Sequence, residues 1–238
     1  ALSILSLGFN PFGWRFTSVI FASLMIPIIY ILAKTMFRTR TASVFSAILI
    51  SLDFLHFTMG RIATVDTFTV FFILTSNLFM FITYKKLSGE EAKFDGLTFL
   101  MGVLFFSLAF STKWYALYGF IGQLLLILVL LIMNLRTSRC GTREFLKALI
   151  TILCALLLAG AVYLSSFIPY MLLGHSLYDV FTRQWSMYYY HSTLKATHPF
   201  SSPWWSWPLI IRPVWFDVQY LPNGMVSTIV AMGNPALW

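Results

Sequence analysis

IATVDTFTVFFILTSNLFMFITYKK, residues 62–86, is the stretch on which the fold turns. From Ile62 to Tyr84 it carries a single charge, Asp66, and it ends on the pair Lys85 and Lys86. A hydrocarbon core about 30 Å thick takes about 20 apolar residues to cross as a helix. In such a core the backbone N–H and C=O groups have to be satisfied within the segment. This run has the length and the composition for one crossing.

Runs of the same kind lie on either side, at Phe16 to Phe37, Ala42 to Met59, Leu97 to Ser111, Tyr115 to Asn134 and Phe145 to Ile168. A further run is expected to begin near Met225. Hydrophobic residues make up 59% of the 238 positions and charged ones 10%, against about 25% charged in soluble domains. The mean hydropathy of +0.81 points the same way. The expected fold class is an all-α membrane protein, a polytopic transmembrane helix bundle. Residues 1–168 are expected to form six helices, 169–223 a long extracytoplasmic loop, and 224–238 the truncated start of another transmembrane helix. Pro27 removes a backbone hydrogen bond inside the first run and is expected to bend it. Because the chain begins at Ala1 and stops inside an apolar run, it is expected to be a piece of a larger protein.

Lys and Arg are retained on the cytoplasmic side of short connections. Alternate connections hold Lys34, Arg38, Arg40, then Lys85, Lys86, Lys93, then Arg136, Arg139, Arg143, Lys147; the other set holds Arg15, Arg61, Lys113, Arg183, Lys195 and Arg212, ten cations against six. The first set is therefore expected in the cytoplasm and residues 169–223 outside. This asymmetry accounts for the net charge of +8, so no nucleic-acid partner is expected. Cys140 lies in a basic connection and Cys154 in an apolar run, a poor pair for a disulfide. The four histidines are too scattered for a metal site. No glycine-rich nucleotide loop is present, and no cofactor is expected.

Within 169–223, Ser176 and Asp179 have capping-box spacing. Leu177, Val180, Phe181, Trp185, Tyr188 and Tyr189 then recur at helical intervals, which predicts an amphipathic helix lying on the membrane surface. Pro199, Pro203, Pro208 and Pro213 predict an extended path after it.

Ionisable groups near membrane depth are costly and persist for pairing or for function. Asp53, His56 and Arg61 fall near one another on a helix, and a tight hairpin brings Asp66 close. Asp66 at a helix N-terminus and Arg61 beside a carboxylate satisfy a structural reading. Arg61 donating to a lipid phosphate satisfies a functional one. Lys113, followed by Trp114, either snorkels to the headgroups or supplies a second cation for the same phosphate. Tyr188-Tyr189-Tyr190-His191 and the segment Thr197 to Pro208 form the densest aromatic stretch. Ring faces with His and Ser donors suit a sugar or peptide cleft, with His191, His198, Trp204, Trp205 and Trp207 as candidates beside Asp53, His56 and Trp114.

Several of these stretches resemble the protein O-mannosyltransferase family, membrane glycosyltransferases of the GT-C type. They are Asn10-Pro11-Phe12-Gly13-Trp14-Arg15-Phe16, Leu52-Asp53, Arg61-Ile62-Ala63 with Asp66, Ser111-Thr112-Lys113-Trp114, Thr197-His198-Pro199-Phe200, Ser202-Pro203-Trp204-Trp205-Ser206-Trp207-Pro208 and Gly233-Asn234-Pro235-Ala236-Leu237-Trp238. The resemblance implies inverting transfer of mannose from a polyprenyl or dolichyl phosphate carrier to Ser or Thr hydroxyls of a secreted polypeptide. In that reading Arg61 and Lys113 bind the lipid phosphate and Asp66 is a positioning residue. The family's acidic pair lies in the first outer loop, which falls before Ala1, so this piece alone is expected to be inactive. The segment after Ile168 is too short for the large lumenal insert of eukaryotic members. That implies a prokaryotic plasma membrane with the active face outside, or the endoplasmic reticulum for a eukaryotic chain. Two other readings stay open: a related lipid-phosphate sugar transferase acting on a glycolipid or glycan, and a transporter or flippase. Inverted repeats and paired broken helices, the marks of many transporters, are not seen.

Overall fold

A computed structural model describes residues 2–197, 201–207, 209–234 and 236. The helices are α1 (Leu2–Leu7), α2 (Pro11–Phe37), α3 (Arg40–Ser51), α4 (Phe54–Arg61), α5 (Asp66–Ser88), α6 (Gly96–Thr112), α7 (Ala116–Arg136), α8 (Thr142–Ser165), α9 (Ile168–Leu172) and α10 (Leu177–Thr193). A 3-10 turn (Trp204–Ser206) and a hairpin of β1 (Val214–Tyr220) and β2 (Val226–Ala231) follow.

The apolar runs as far as Ile168 become helix. α2, α5, α7 and α8, at 27, 23, 21 and 24 residues, are long and apolar enough to cross a membrane. Leu125, Val129, Ile150 and Leu157 on their outer faces are exposed, as lipid-facing side chains are. α6 is a shorter apolar helix of 17 residues. The chain is an all-α polytopic membrane protein with one small hairpin appended. Asn10 starts α2 by accepting the N–H of Gly13 at 2.9 Å, Pro11 occupies the first turn, and the helix continues through Pro27.

Two expectations are corrected. The run Ala42 to Met59 is not one helix, because α3 and α4 meet at a bend of 57°. Asp53 is extended there and its carboxylate accepts the His56 N–H at 3.0 Å, which caps a new helix in place of continuing the old ladder. The helix expected from Met225 is strand β2 instead. Leu221–Gly224 makes a turn with Pro222 at its second position, and Gly224 takes φ +78, a left-handed conformation that glycine adopts without strain. The β-branched residues Val226, Thr228, Ile229 and Val230 then pair back on β1.

α5 and α6 form the centre of the bundle. Phe99, Val103, Leu87 and Leu131 are fully buried, and Phe106 stacks on Phe120 with centroids 3.8 Å apart. The Ser76 hydroxyl donates to the Gly102 carbonyl at 2.7 Å, a polar tie between helices brought close by a small residue. Gln123 donates to Asn77 at 2.5 Å, pairing two amides that lipid cannot satisfy.

The two ends of the bundle differ. At one, Lys85 donates to the Thr35 carbonyl at 2.8 Å, Asn134 to Leu87 at 2.9 Å and Arg139 to Gly89 at 2.5 Å. These side chains cover carbonyls that helix C-termini leave open. At the other end the C-terminus of α6 meets the N-terminus of α5, and α10 docks beside them. α10 carries the expected capping box between Ser176 and Asp179; the Ser176 hydroxyl and backbone N–H hold the Asp179 carboxyl below its ordinary value.

At the first end Asp95 caps α6, accepting the Thr98 N–H at 3.2 Å, and pairs with Lys86. The bonds from Lys86 and Thr98 hold its carboxyl down to about 2, against about 3.9 in an unfolded chain. A depressed carboxyl stabilises the fold fully above about pH 4 and ceases to do so as pH falls toward about 2. Thermal unfolding of Asp95→Asn is therefore expected to fall below that of the wild type at neutral pH, with the gap closing as pH approaches 2. A gap unchanged at low pH overturns the assignment.

Candidate active site

Lys113 ends α6 in an extended conformation, φ −152 and ψ 135, so its side chain leaves the helix axis instead of following it. It reaches Asp66 in the first turn of α5, with Nζ to Oδ1 at 2.6 Å. The N-terminal end of a helix is where its dipole favours a carboxylate, and the pair keeps about a third of each side chain in solvent (36% and 32%). The ammonium also lies 5.9 Å from the Tyr115 ring centroid. Neighbouring hydroxyls set the register: Thr69 and Thr112 are 2.7 Å apart, and Thr67 donates to the Met59 carbonyl at 2.9 Å. Those bonds bring the ends of α4, α5 and α6 together.

A cavity of about 680 Å³ opens beside this pair, lined by Lys113, Trp114, Tyr115, Tyr118, Tyr163, Tyr188 and His191 among others. Its walls are the α6–α7 junction, α8 and α10. The Trp114 indole N–H donates to the Tyr163 hydroxyl at 3.0 Å, and that hydroxyl donates to Gln184 Oε1 at 2.5 Å. Aromatic faces and hydroxyl tips with one cation suit a sugar or a hydroxyl-bearing peptide next to an anion. Asp66 itself lines a different, mostly apolar cavity of about 600 Å³ with Asp53, His56, Met59, Val214 and Phe216.

The structure regroups the residues singled out from sequence. Asp66 pairs with Lys113, whereas Arg61 lays its guanidinium over the Phe57 ring at 5.0 Å and lines a hollow of about 280 Å³ with Ser23, Ser51 and His56. Arg61 and Lys113 thus lie at the same end of the bundle but line different hollows. Asp53 is a cap, and it also accepts the Asn234 N–H at 3.0 Å while Asn234 donates to the Leu52 carbonyl at 3.0 Å, so it ties the hairpin to α4. Trp114 and His191 share the large cavity. Trp204, Trp205 and Trp207 project from the 3-10 turn, 75%, 58% and 62% exposed, and line neither cavity. His198 lies outside the described residues. No group of three His, Cys, Asp or Glu among the described residues is placed to hold a metal. Sequence reasoning missed Tyr163 and Gln184. Their only signal was a phenol near the end of an apolar run and an amide four residues after Val180 on the buried face of α10.

A family model described as dolichyl-phosphate-mannose-protein mannosyltransferase matches residues 4–174. The chain is 24% identical to a polyprenol-phosphate-mannose–protein mannosyltransferase of Mycolicibacterium smegmatis over 97% of its own length and 55% of that protein. It is 23% identical to the protein of the same description from Mycobacterium tuberculosis, over 97% of this chain and 54% of the other. The chain spans about half the length of the curated relatives it matches. No solved structure matches it.

Proposed function

Because the chain belongs to the dolichyl-phosphate-mannose-protein mannosyltransferase family, we propose that the whole protein transfers mannose from a polyprenyl phosphate carrier to Ser or Thr hydroxyls of secreted polypeptides. The observation that carries this reading is Lys113, paired with Asp66, in the lining of an aromatic cavity. In the reaction the acceptor oxygen attacks C1 of the sugar and the C1–O bond to the phosphate breaks on the opposite face, inverting that carbon. The acceptor proton passes to a carboxylate, and the bond's electrons leave with the lipid phosphate. The protein's task is to stabilise that departing charge with cations already in position. Lys113 supplies a compact charge, and Asp66 holds the ammonium in place before the anion arrives. Arg61, held on Phe57 at the same end, supplies a planar guanidinium suited to phosphate oxygens.

The Lys113 end faces outside in this reading, since Lys34, Lys85, Lys93, Arg136 and their neighbours crowd the opposite end. The membrane is a prokaryotic plasma membrane. The bacterial relatives support that location. α10 lies along the outer surface, with the aromatic cavity behind it receiving the mannose and the acceptor side chain.

The test is the full-length protein in liposomes with labelled polyprenyl-phosphate mannose and a Ser/Thr peptide. Label appears on the peptide hydroxyl. Label on a glycolipid or glycan with the peptide unlabelled would overturn the acceptor assignment. Arg61→Ala is expected to lower kcat/KM for the donor by about tenfold or more, the scale of a lost hydrogen bond to a charged group. Unchanged donor kinetics would remove Arg61 from the site.

A further inference from the structure

Lys113 sits on a segment with no helix of its own to hold it. Its N–H ends the α6 ladder by donating to the Ala109 carbonyl at 3.0 Å, and α7 starts only at Ala116. The first turn of α7 holds its backbone, with the Ala116 N–H donating to the Lys113 carbonyl at 3.3 Å and the Leu117 N–H to the Trp114 carbonyl at 3.0 Å, and side-chain bonds add to this on either side. Thr112 is tied to Thr69 on α5, and Trp114 is tied to Tyr163 on α8.

The second tie does not stop at Tyr163. An indole N–H can only donate, so it occupies the acceptor side of the Tyr163 hydroxyl and leaves the phenol's single proton for Gln184 Oε1, 2.5 Å away. The Gln184 amide is oriented by its other end, since Nε2 donates to the Val180 carbonyl at 3.2 Å. That bond aims the oxygen at Tyr163. Val180, on the inner face of α10, is fully buried, and the Tyr163 ring is packed on Phe110 and Phe167 with centroids at 4.8 and 5.4 Å. Only one arrangement of protons satisfies the whole chain of bonds from α10 to Trp114.

We infer that Tyr163 and Gln184 are positioning residues, which transmit the seating of α10 through Trp114 to the adjacent Lys113. This rests on the proposed role of Lys113 at the donor phosphate. The docked face of α10 carries Val180 and Gln184, whereas Tyr178, Phe181 and Trp185 are exposed on another face and suit the headgroup region. Lys113 therefore stands in register with its ligand when α10 is seated on the bundle, and loses that register when α10 lifts away.

The experiment uses the full-length protein in liposomes with polyprenyl-phosphate mannose and an acceptor peptide. Tyr163→Phe deletes one oxygen and keeps the ring against Phe110 and Phe167. It is expected to lower kcat by about tenfold or more, as displaced catalytic groups do, with the peptide KM unchanged. Trp114→Phe lowers kcat similarly, and the double variant is no worse than either single one, because both break the same connection. Gln184→Leu reproduces the loss, and Gln184→Glu, which keeps an accepting oxygen for Tyr163 but has no N–H for the Val180 carbonyl, recovers only part of kcat. Wild-type kcat in Tyr163→Phe and Gln184→Leu overturns the inference, as do losses that multiply in the double variant. Should Tyr163→Phe fail to insert, the Gln184 pair of variants carries the same test. Lys113→Ala in the same assay separates the two ideas. An active Lys113→Ala removes the donor-site reading and the relay with it, whereas an inactive Lys113→Ala beside a fully active Tyr163→Phe removes the relay alone.

Discussion

Lys113→Ala and Asp66→Asn, each made in the full-length protein, are expected to cut mannosyl transfer by about a hundredfold or more, the scale on which one preorganised donor to a developing anion contributes. Loss of fold does not account for such an effect. The pair is about one-third exposed on each side, and ion pairs in that setting contribute at most about 1 kcal/mol. Asp66→Asn acts differently from Lys113→Ala, because it leaves the ammonium present but without the carboxylate that holds it beside α5. The swapped variant, with Asp66→Lys and Lys113→Asp together, separates a structural bridge from a working cation. A bridge is restored by the swap and activity returns with it. A cation that has to meet a phosphate is not, since the swap moves it to the other helix and sets an acid in its place. Restored transfer in the swapped protein would sink the assignment of Lys113.

Gly102→Val is expected to have the largest effect on stability. A Cβ at Gly102 meets Met80 Sδ at 2.8 Å and Cγ at 2.9 Å, with the Met80 backbone nitrogen at 3.4 Å. Met80 is 2% exposed, so the valine cannot be accommodated by turning a side chain outward. Overfilling a packed core costs about 1–3 kcal/mol. Parting α5 from α6 adds the loss of the Ser76–Gly102 bond in surroundings without water to replace it. Gly102→Ala meets the same Cβ contacts and is milder because it lacks the two further methyl groups of valine. The effect also reaches the site, since Asp66 starts α5 and Lys113 ends α6. Thermal unfolding of the purified protein is the measurement, with transfer activity alongside it. A Gly102→Val protein that unfolds at the wild-type temperature shows the contact to be loose.

The residues that misled the sequence reading do so for specific reasons. Met225 to Met232 is apolar and short, and periodicity alone cannot tell a buried helix from a strand over such a length. The signal that decides it, Pro222-Asn223-Gly224 ahead of a β-branched run, is a hairpin signature. Asp53 is a single carboxylate in an apolar run, and the same residue type serves as a helix cap or as a membrane-depth functional group. Only its bond to the His56 N–H chooses between them. The capping box at Ser176, by contrast, was legible, because cap and partner are three residues apart and the interaction is local.

The same distinction runs through the whole chain. Hydropathy and span length are properties of consecutive residues, so the long helices of the bundle, the amphipathic pattern of α10 and the alternation of basic connections follow from the order of amino acids alone. Which charged group meets which is a property of helix packing. Asp66 stands five residues from Arg61 yet pairs with Lys113, 47 residues away, because α5 and α6 pack along their length and deliver those two ends to one place. Tyr163 and Gln184 join Trp114 for the same reason. Contacts between side chains on different helices depend on crossing and register, and those come into existence only when the bundle closes.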